Sequence, residues 1–171
     1  MQPDVAWFSN GGMSTLVTYF SQTGRTAALA HQIAMRLGAT EEPILELHDR
    51  SGAMGSVSGA LGAAVRAGSD IGTPHHEPAG FDMVVIGTPV WAAGAAPAVN
   101  RYIDTHRESI DRVAFFCTEG AVGDGLAFRQ MERRLGKAPL ARLAVTDAEL
   151  QEGAIDAELA RFVGEIGAAR A

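Results

Sequence analysis

Leu16-Val17-Thr18-Tyr19-Phe20-Ser21-Gln22-Thr23-Gly24-Arg25-Thr26 is the stretch whose reading decides the fold of this chain. Its first five residues are a short β-branched and aromatic run stopped by polar turn residues, which reads as a buried strand. A helix pattern follows at once. Over residues 26–37, Leu29, Ile33 and Leu37 recur at intervals of four with small Ala30 and Ala34 beside them, and Gly38 stands where a helix stop is expected. The apolar face of that helix should lie on a sheet.

The turn between strand and helix packs Ser21, Gln22, Thr23, Gly24, Arg25 and Thr26 into six positions. Such a turn can aim several backbone N–H groups and the Ser21, Thr23 and Thr26 hydroxyls at one dianion, with the positive end of the helix dipole behind it. There is no GxxxxGK[ST], so the lysine that reaches the outer phosphates of a nucleoside triphosphate is missing, and there is no GxGxxG for a dinucleotide pyrophosphate. A terminal phosphomonoester fits better. Taken alone, the same composition also suits an N-cap turn with a purely structural role.

Outward from this unit the alternation recurs. Strands are expected at 44–47, 83–86 and 113–116, with a weaker one at 141–145, and helices at 98–106 and 126–135. A last helix carries Ile155, Leu159, Phe162, Val163 and Ile166 on one face. Strands separated by helical patterns mean right-handed βαβ crossovers and a parallel sheet covered on both sides. Between the second and third strands, Val57, Leu61, Ala64 and Val65 suggest a short helix diluted by five glycines. Residues 1–13 read as a loose leader ending near Asn10-Gly11-Gly12, with Met13 an alternative start, and residues 14–171 as the domain proper.

The 171 residues suit one domain with a single sheet between two helix layers. An apolar share of 47% and a charged share of 20% are those of a globular protein, and no apolar run has the length of a membrane span. Without a basic cluster or secretory core at its start, the chain is expected in the cytoplasm. The lone Cys117 excludes an internal disulfide and a thiolate-built zinc site, and reads as a buried strand-end residue. A net charge of −6 with no long Lys or Arg run argues against nucleic acid and suits a basic protein partner.

Two further loops leave strand ends on the same sheet edge, where open parallel sheets bind ligands. Gly87-Thr88-Pro89-Val90-Trp91-Ala92-Ala93-Gly94-Ala95-Ala96-Pro97 offers a rigid proline, an apolar aromatic and small residues, a wall on which a flat ring can lie. Cys117-Thr118-Glu119-Gly120-Ala121-Val122-Gly123-Asp124-Gly125 carries three glycines that free its backbone to meet the polar edge of a ring system. Each loop has a structural alternative: Trp91 covering the core edge, and a plain surface turn. His75 and His76 are adjacent on the chain and point to opposite faces when extended, which disfavours a shared metal ion. Arg129, Arg133 and Arg134 form a small basic face on the fourth helix, read as solvated.

In their order and spacing, Tyr19-Phe20-Ser21-Gln22-Thr23-Gly24-Arg25-Thr26, Val85-Ile86-Gly87-Thr88-Pro89-Val90-Trp91 and Phe115-Phe116-Cys117-Thr118 resemble the flavodoxin family. The resemblance is to compact flavodoxin-like proteins with a TPVWAG-type second loop and an FFCT-type third, and it runs from residue 14 to the C-terminus. It implies an α/β fold, a flavodoxin-like three-layer α/β/α sandwich with a five-stranded parallel sheet in the order 2-1-3-4-5. It also implies FMN bound without a covalent link. By position, Ser21, Gln22, Thr23, Gly24, Arg25 and Thr26 would hold the phosphate, and Thr88, Pro89, Val90, Trp91 and Ala92 would line the ring. Cys117, Thr118, Glu119, Gly120 and Gly123 would meet its pyrimidine edge. Arg25 stands where similar loops more often have asparagine, and the third loop lacks the aromatic that sandwiches the flavin in many electron carriers. The function implied is an FMN redox protein carrying electrons between protein partners. A small FMN-dependent NAD(P)H:quinone-type reductase is the alternative, and a non-catalytic flavin-binding or interaction module is a reading of another class. No general acid, general base or metal ligand is assigned.

Overall fold

The computed structural model describes residues 13–47, 70–92 and 94–169. Strand β1 (Thr15–Tyr19) is buried along its whole length, which is why its residues form a continuous run rather than an alternation. Helix α1 (Arg25–Leu37) starts behind Gly24 and buries Leu29, Ala30, Ile33 and Ala34, the face that the four-residue spacing marks. Gly38 ends it in a left-handed conformation, and Ala39 N–H closes back on the Ala34 carbonyl at 2.9 Å.

The second strand departs from expectation. Strand β2 occupies Thr40–Pro43, and residues 44–47 are not a strand. Ile44 still enters the core, but Leu45 and Leu47 are exposed, and Glu46 forms only an isolated bridge to Ile71. The physical reason is that β2 is an edge strand whose polar residues are satisfied locally. Glu41 accepts the Tyr19 hydroxyl at 2.9 Å and contacts His31, and the buried Glu42 accepts the His76 backbone N–H at 2.9 Å and His76 Nδ1 at 2.7 Å. Burial and the Glu41 charge push the Tyr19 phenol up to about 12, so it stays protonated and remains the donor. A hydropathy pattern has no access to these partners.

Strand β3 (Met83–Trp91) runs well beyond the expected 83–86 and turns back into the two-residue strand β4 (Gly94–Ala95). Helix α2 (Pro97–His106), strand β5 (Val113–Glu119) and helix α3 (Asp124–Leu135) follow. Strand β6 (Arg142–Thr146), the short helix α4 (Asp147–Glu152) and helix α5 (Asp156–Ala168) complete the described chain. Strands β2-β1-β3-β5-β6 form a parallel sheet in that order, the 2-1-3-4-5 path once β4, antiparallel to β3, is set aside. The expected helix around Val57 to Val65 and the leader up to residue 12 lie outside the described residues.

Two apolar layers cover the sheet. Leu16, Ile86 and Phe115 pack with Val99 and Ile103 of α2 and Met131 of α3, while Val17, Val85 and Phe116 pack with Ile33 of α1 and Phe162 of α5. The strand order reverses between β1 and β3. Their carboxyl ends therefore flank the crevice in which open α/β sheets bind ligands.

Val90 pairs with Ala95 and Trp91 with Gly94, so β3 reverses directly into β4. Ala92, which follows β3, has φ 48° and is the one non-glycine with positive φ among the described residues. An L side chain is strained there. Ala92→Gly is expected to stabilise the fold by about 0.5–1 kcal/mol, after allowing for glycine's extra freedom in the unfolded chain, and to raise the melting temperature by about 2 °C. Differential scanning calorimetry checks this, and a lower melting temperature would contradict the strain.

Candidate functional site

The site begins where β1 ends. Phe20 is buried, and its N–H donates to the Gly87 carbonyl at 3.2 Å, pinning the start of the turn to β3. Ser21 Oγ accepts the Gly24 N–H at 3.1 Å and closes the turn from inside. Gly24 has φ 88°, a conformation that favours glycine, and the chain reverses into α1 there. No side chain caps α1, and its first turn contains no acidic residue. The free N–H groups of a 13-residue helix and the positive end of its dipole thus open onto exposed Gln22 and Thr23. This donor set, rich in N–H and hydroxyl and free of carboxylate from residue 20 to 30, fits a phosphomonoester dianion.

Two residues of the turn have side-chain partners in the protein. Arg25 Nη1 lies 2.5 Å from Asp147 Oδ2 at the start of α4, so its cation is engaged sideways on a half-buried carboxylate. Thr26 is buried, and its hydroxyl oxygen is 2.8 Å from that of Thr118.

The β3–β4 hairpin stands next to this turn. Trp91 is half-buried and meets Phe20 edge to face, ring centroids 5.6 Å apart at 89°. Pro89 and Val90 are half-buried and Ala92 is exposed, whereas Thr88 is fully buried. Thr88 Oγ1 accepts the Ala96 N–H at 2.9 Å and donates to the Pro89 carbonyl at 2.9 Å, so its hydroxyl fastens the hairpin instead of lining a surface. Gln130 Oε1 of α3 accepts the Ala95 N–H at 2.9 Å, and Asn100 Nδ2 of α2 donates to the Ala95 carbonyl at 3.1 Å. Asn100 and Gln130 were not among the residues singled out in the sequence. Their only signal is a polar residue beside a buried helical face, a weak one.

At the end of β5, Cys117 lies in the core beneath α2 and α3. Burial, with the charges of Glu119 and Asp124, pushes its thiol well above the ordinary range, which favours the protonated form at neutral pH. Glu119 is buried, and its Oε2 accepts the Asp124 N–H at 3.0 Å. That carboxylate caps the start of α3 and holds the loop of residues 120–123 against the sheet end. Gly120 is exposed, Gly123 has φ 129° just before α3, and Val122 is 82% exposed. Of the other residues noted in the sequence, the backbone N–H groups of His75 and His76 both face Glu42, and Arg134 pairs with Asp104 at 2.5 Å.

Three segments at the carboxyl ends of β1, β3 and β5 are thus joined by the Phe20–Trp91 and Thr26–Thr118 contacts. Among the described residues, no helix is long and apolar enough to cross a membrane.

No family model matches the sequence, and no curated protein matches it. Solved structures do. A flavoprotein in complex with FMN from Lactobacillus acidophilus NCFM is similar with a TM-score of 0.68 and 17% identity, over 82% of this chain and 98% of that one. A Fusobacterium nucleatum flavodoxin bound to flavin mononucleotide has a TM-score of 0.60 and 12% identity, over 93% and 99% of the two chains. A flavodoxin, WrbA-like protein from Agrobacterium tumefaciens has a TM-score of 0.54 and 15% identity, over 94% and 100%. The chain has the flavodoxin-like fold.

Proposed function

We propose that this protein binds FMN without a covalent link and serves as a redox protein that passes electrons between protein partners. The observation that carries the reading is the uncapped, acid-free start of α1 standing beside an aromatic hairpin at the point where strand order reverses. An anion site and an apolar wall side by side suit a ligand with a phosphate at one end and a flat ring at the other. Two structures of the same fold are complexes with FMN, which supports this choice of ligand.

In this reading the N–H groups around Gln22, Thr23 and Gly24 hold the phosphate, and Ser21 keeps the turn closed. Trp91, braced by Phe20, sets the wall for the ring, and Gly120 and Gly123 give the third loop close backbone approach. Bound flavin supplies the electron-transfer chemistry, and the protein tunes it through hydrogen bonds and nearby charge. The buried Glu119 is the acidic side chain at that end of the sheet. With a net charge of −6, the chain suits a basic docking partner, and operation in the cytoplasm belongs to the same reading.

One observation favours a small NAD(P)H:quinone-type reductase as the second reading. The third loop is without an aromatic residue and projects Val122 into solvent, leaving a ring face accessible to a small acceptor. One experiment tests both. FMN-loaded protein is mixed with NADH or NADPH and a soluble quinone, and nicotinamide oxidation is followed at its absorbance band. A carrier shows almost no oxidation until a separate reductase is added, whereas a reductase turns over steadily by itself. If apoprotein fails to bind FMN at micromolar concentration, the redox reading falls and a non-catalytic interaction module takes its place.

A further inference from the structure

We propose that Thr118 is a positioning residue of the phosphate turn, acting through Thr26, and not a contact of the flavin ring; this rests on the reading of residues 21–26 as the site of an FMN phosphate. Thr26 is 2% exposed and Thr118 4%, and their hydroxyl oxygens lie 2.8 Å apart. The pair ties the first turn of α1 to the end of β5.

Strand geometry decides which way Thr118 points. Along β5, Phe115 and Cys117 pack under α2 and α3, and Ala114 and Phe116 pack under α1 and α5. Thr118 continues the second set, which is how it meets Thr26 of α1. Asn100 of α2 and Gln130 of α3 hold the Trp91 hairpin on the opposite face of the sheet. The Thr118 hydroxyl is therefore directed at the back of the phosphate turn and away from the wall proposed for the ring.

Each hydroxyl has one proton and two lone pairs. With no anion present, either threonine can donate to the other. A dianion in the turn breaks that symmetry, because it draws the Thr26 proton toward a phosphate oxygen and frees the Thr26 lone pairs to accept from Thr118. The result is a one-way chain, Thr118 to Thr26 to phosphate, in which the second donor strengthens the first. Removing the Thr118 hydroxyl leaves Thr26 without a donor behind it and free to rotate. The loss falls on the charged end of the ligand only.

The test compares wild type, Thr118→Val and Thr118→Ser by flavin fluorescence quenching with FMN and with riboflavin, which lacks the phosphate. Inorganic phosphate as competitor against FMN reports the anion site directly. Thr118→Val is expected to weaken FMN about tenfold, to raise the inhibition constant of inorganic phosphate by a similar factor, and to leave riboflavin unchanged. Thr118→Ser, which keeps the hydroxyl, stays close to wild type. Should Thr118→Val fold poorly, Thr118→Ala carries the same comparison. Equal losses for FMN and riboflavin would make Thr118 a ring contact, and an unchanged phosphate constant would make it structural; either overturns the proposal. Wild type that binds neither flavin overturns the FMN reading itself, a distinct result.

Discussion

Gly87→Ala is expected to cost the fold about 3 kcal/mol or more, a large part of the roughly 5–15 kcal/mol that holds a domain together. A Cβ built on Gly87 lies 2.0 Å from Phe116 Cζ and 2.4 Å from Cε1 and Cε2. Gly87 and Phe116 are direct partners across the β3–β5 pair, and the phenyl ring lies over the glycine. The ring cannot swing clear, because it is fully buried with Val17, Val85, Leu143 and Phe162 around it. Backbone displacement would have to propagate through the two central strands. A melting temperature about 10 °C lower is the expected readout, with urea unfolding followed by circular dichroism as the second measure. Phe116→Leu combined with Gly87→Ala should recover part of the loss, so that the double variant is more stable than the sum of the singles allows. Wild-type stability in Gly87→Ala would mean that the ring does not lie over residue 87.

Thr23→Glu is expected to move two properties in opposite directions. Thr23 is exposed, and α1 has no acidic residue in its first turn, so a carboxylate there meets the positive end of the helix dipole. Apoprotein should keep its stability or gain about 0.3–1 kcal/mol. The same carboxylate occupies the anion site and repels a phosphomonoester. Two unit charges about 4 Å apart interact by about 4 kcal/mol near a protein surface, and solvent screening brings the expected net effect to about 3 kcal/mol, or FMN affinity lower by about 100-fold. Thr23→Gln, uncharged, should bind FMN nearly as wild type does. Fluorescence titration and the melting curve of the apoprotein together separate lost binding from lost structure. Full FMN affinity in the glutamate variant would remove the phosphate from this turn, and the loss should shrink as salt is raised.

Much of the architecture was legible because parallel strands buried on both faces must be continuously apolar. Residues 16–20, 83–86 and 113–116 therefore stand out, the first one residue late against the observed Thr15–Tyr19, and four-residue spacing marks α1 and α5. Strand β2 was misplaced for the opposite reason. An edge strand satisfied by Tyr19, His31 and His76 looks polar, while the apolar residues after it look like a strand. The β3–β4 hairpin left no trace because Ala92, where the chain turns after β3, is not a turn-forming residue. Side chains of Thr88, Asn100 and Gln130, arriving from one strand and two helices, hold it.

The sequence by itself determined the strand–turn–helix at residues 16–37, the βαβ alternation and the glycine turn at the start of α1. These follow from local periodicity and backbone conformation, which neighbouring residues specify. Only the tertiary structure decided what each hydroxyl, carboxylate and thiol faces. It directs Arg25 to Asp147, Thr88 into the hairpin, Cys117 into the core and Thr118 onto Thr26. Those outcomes depend on strand register and on which helix covers which face of the sheet, and contacts between residues far apart in the chain leave no periodicity to read.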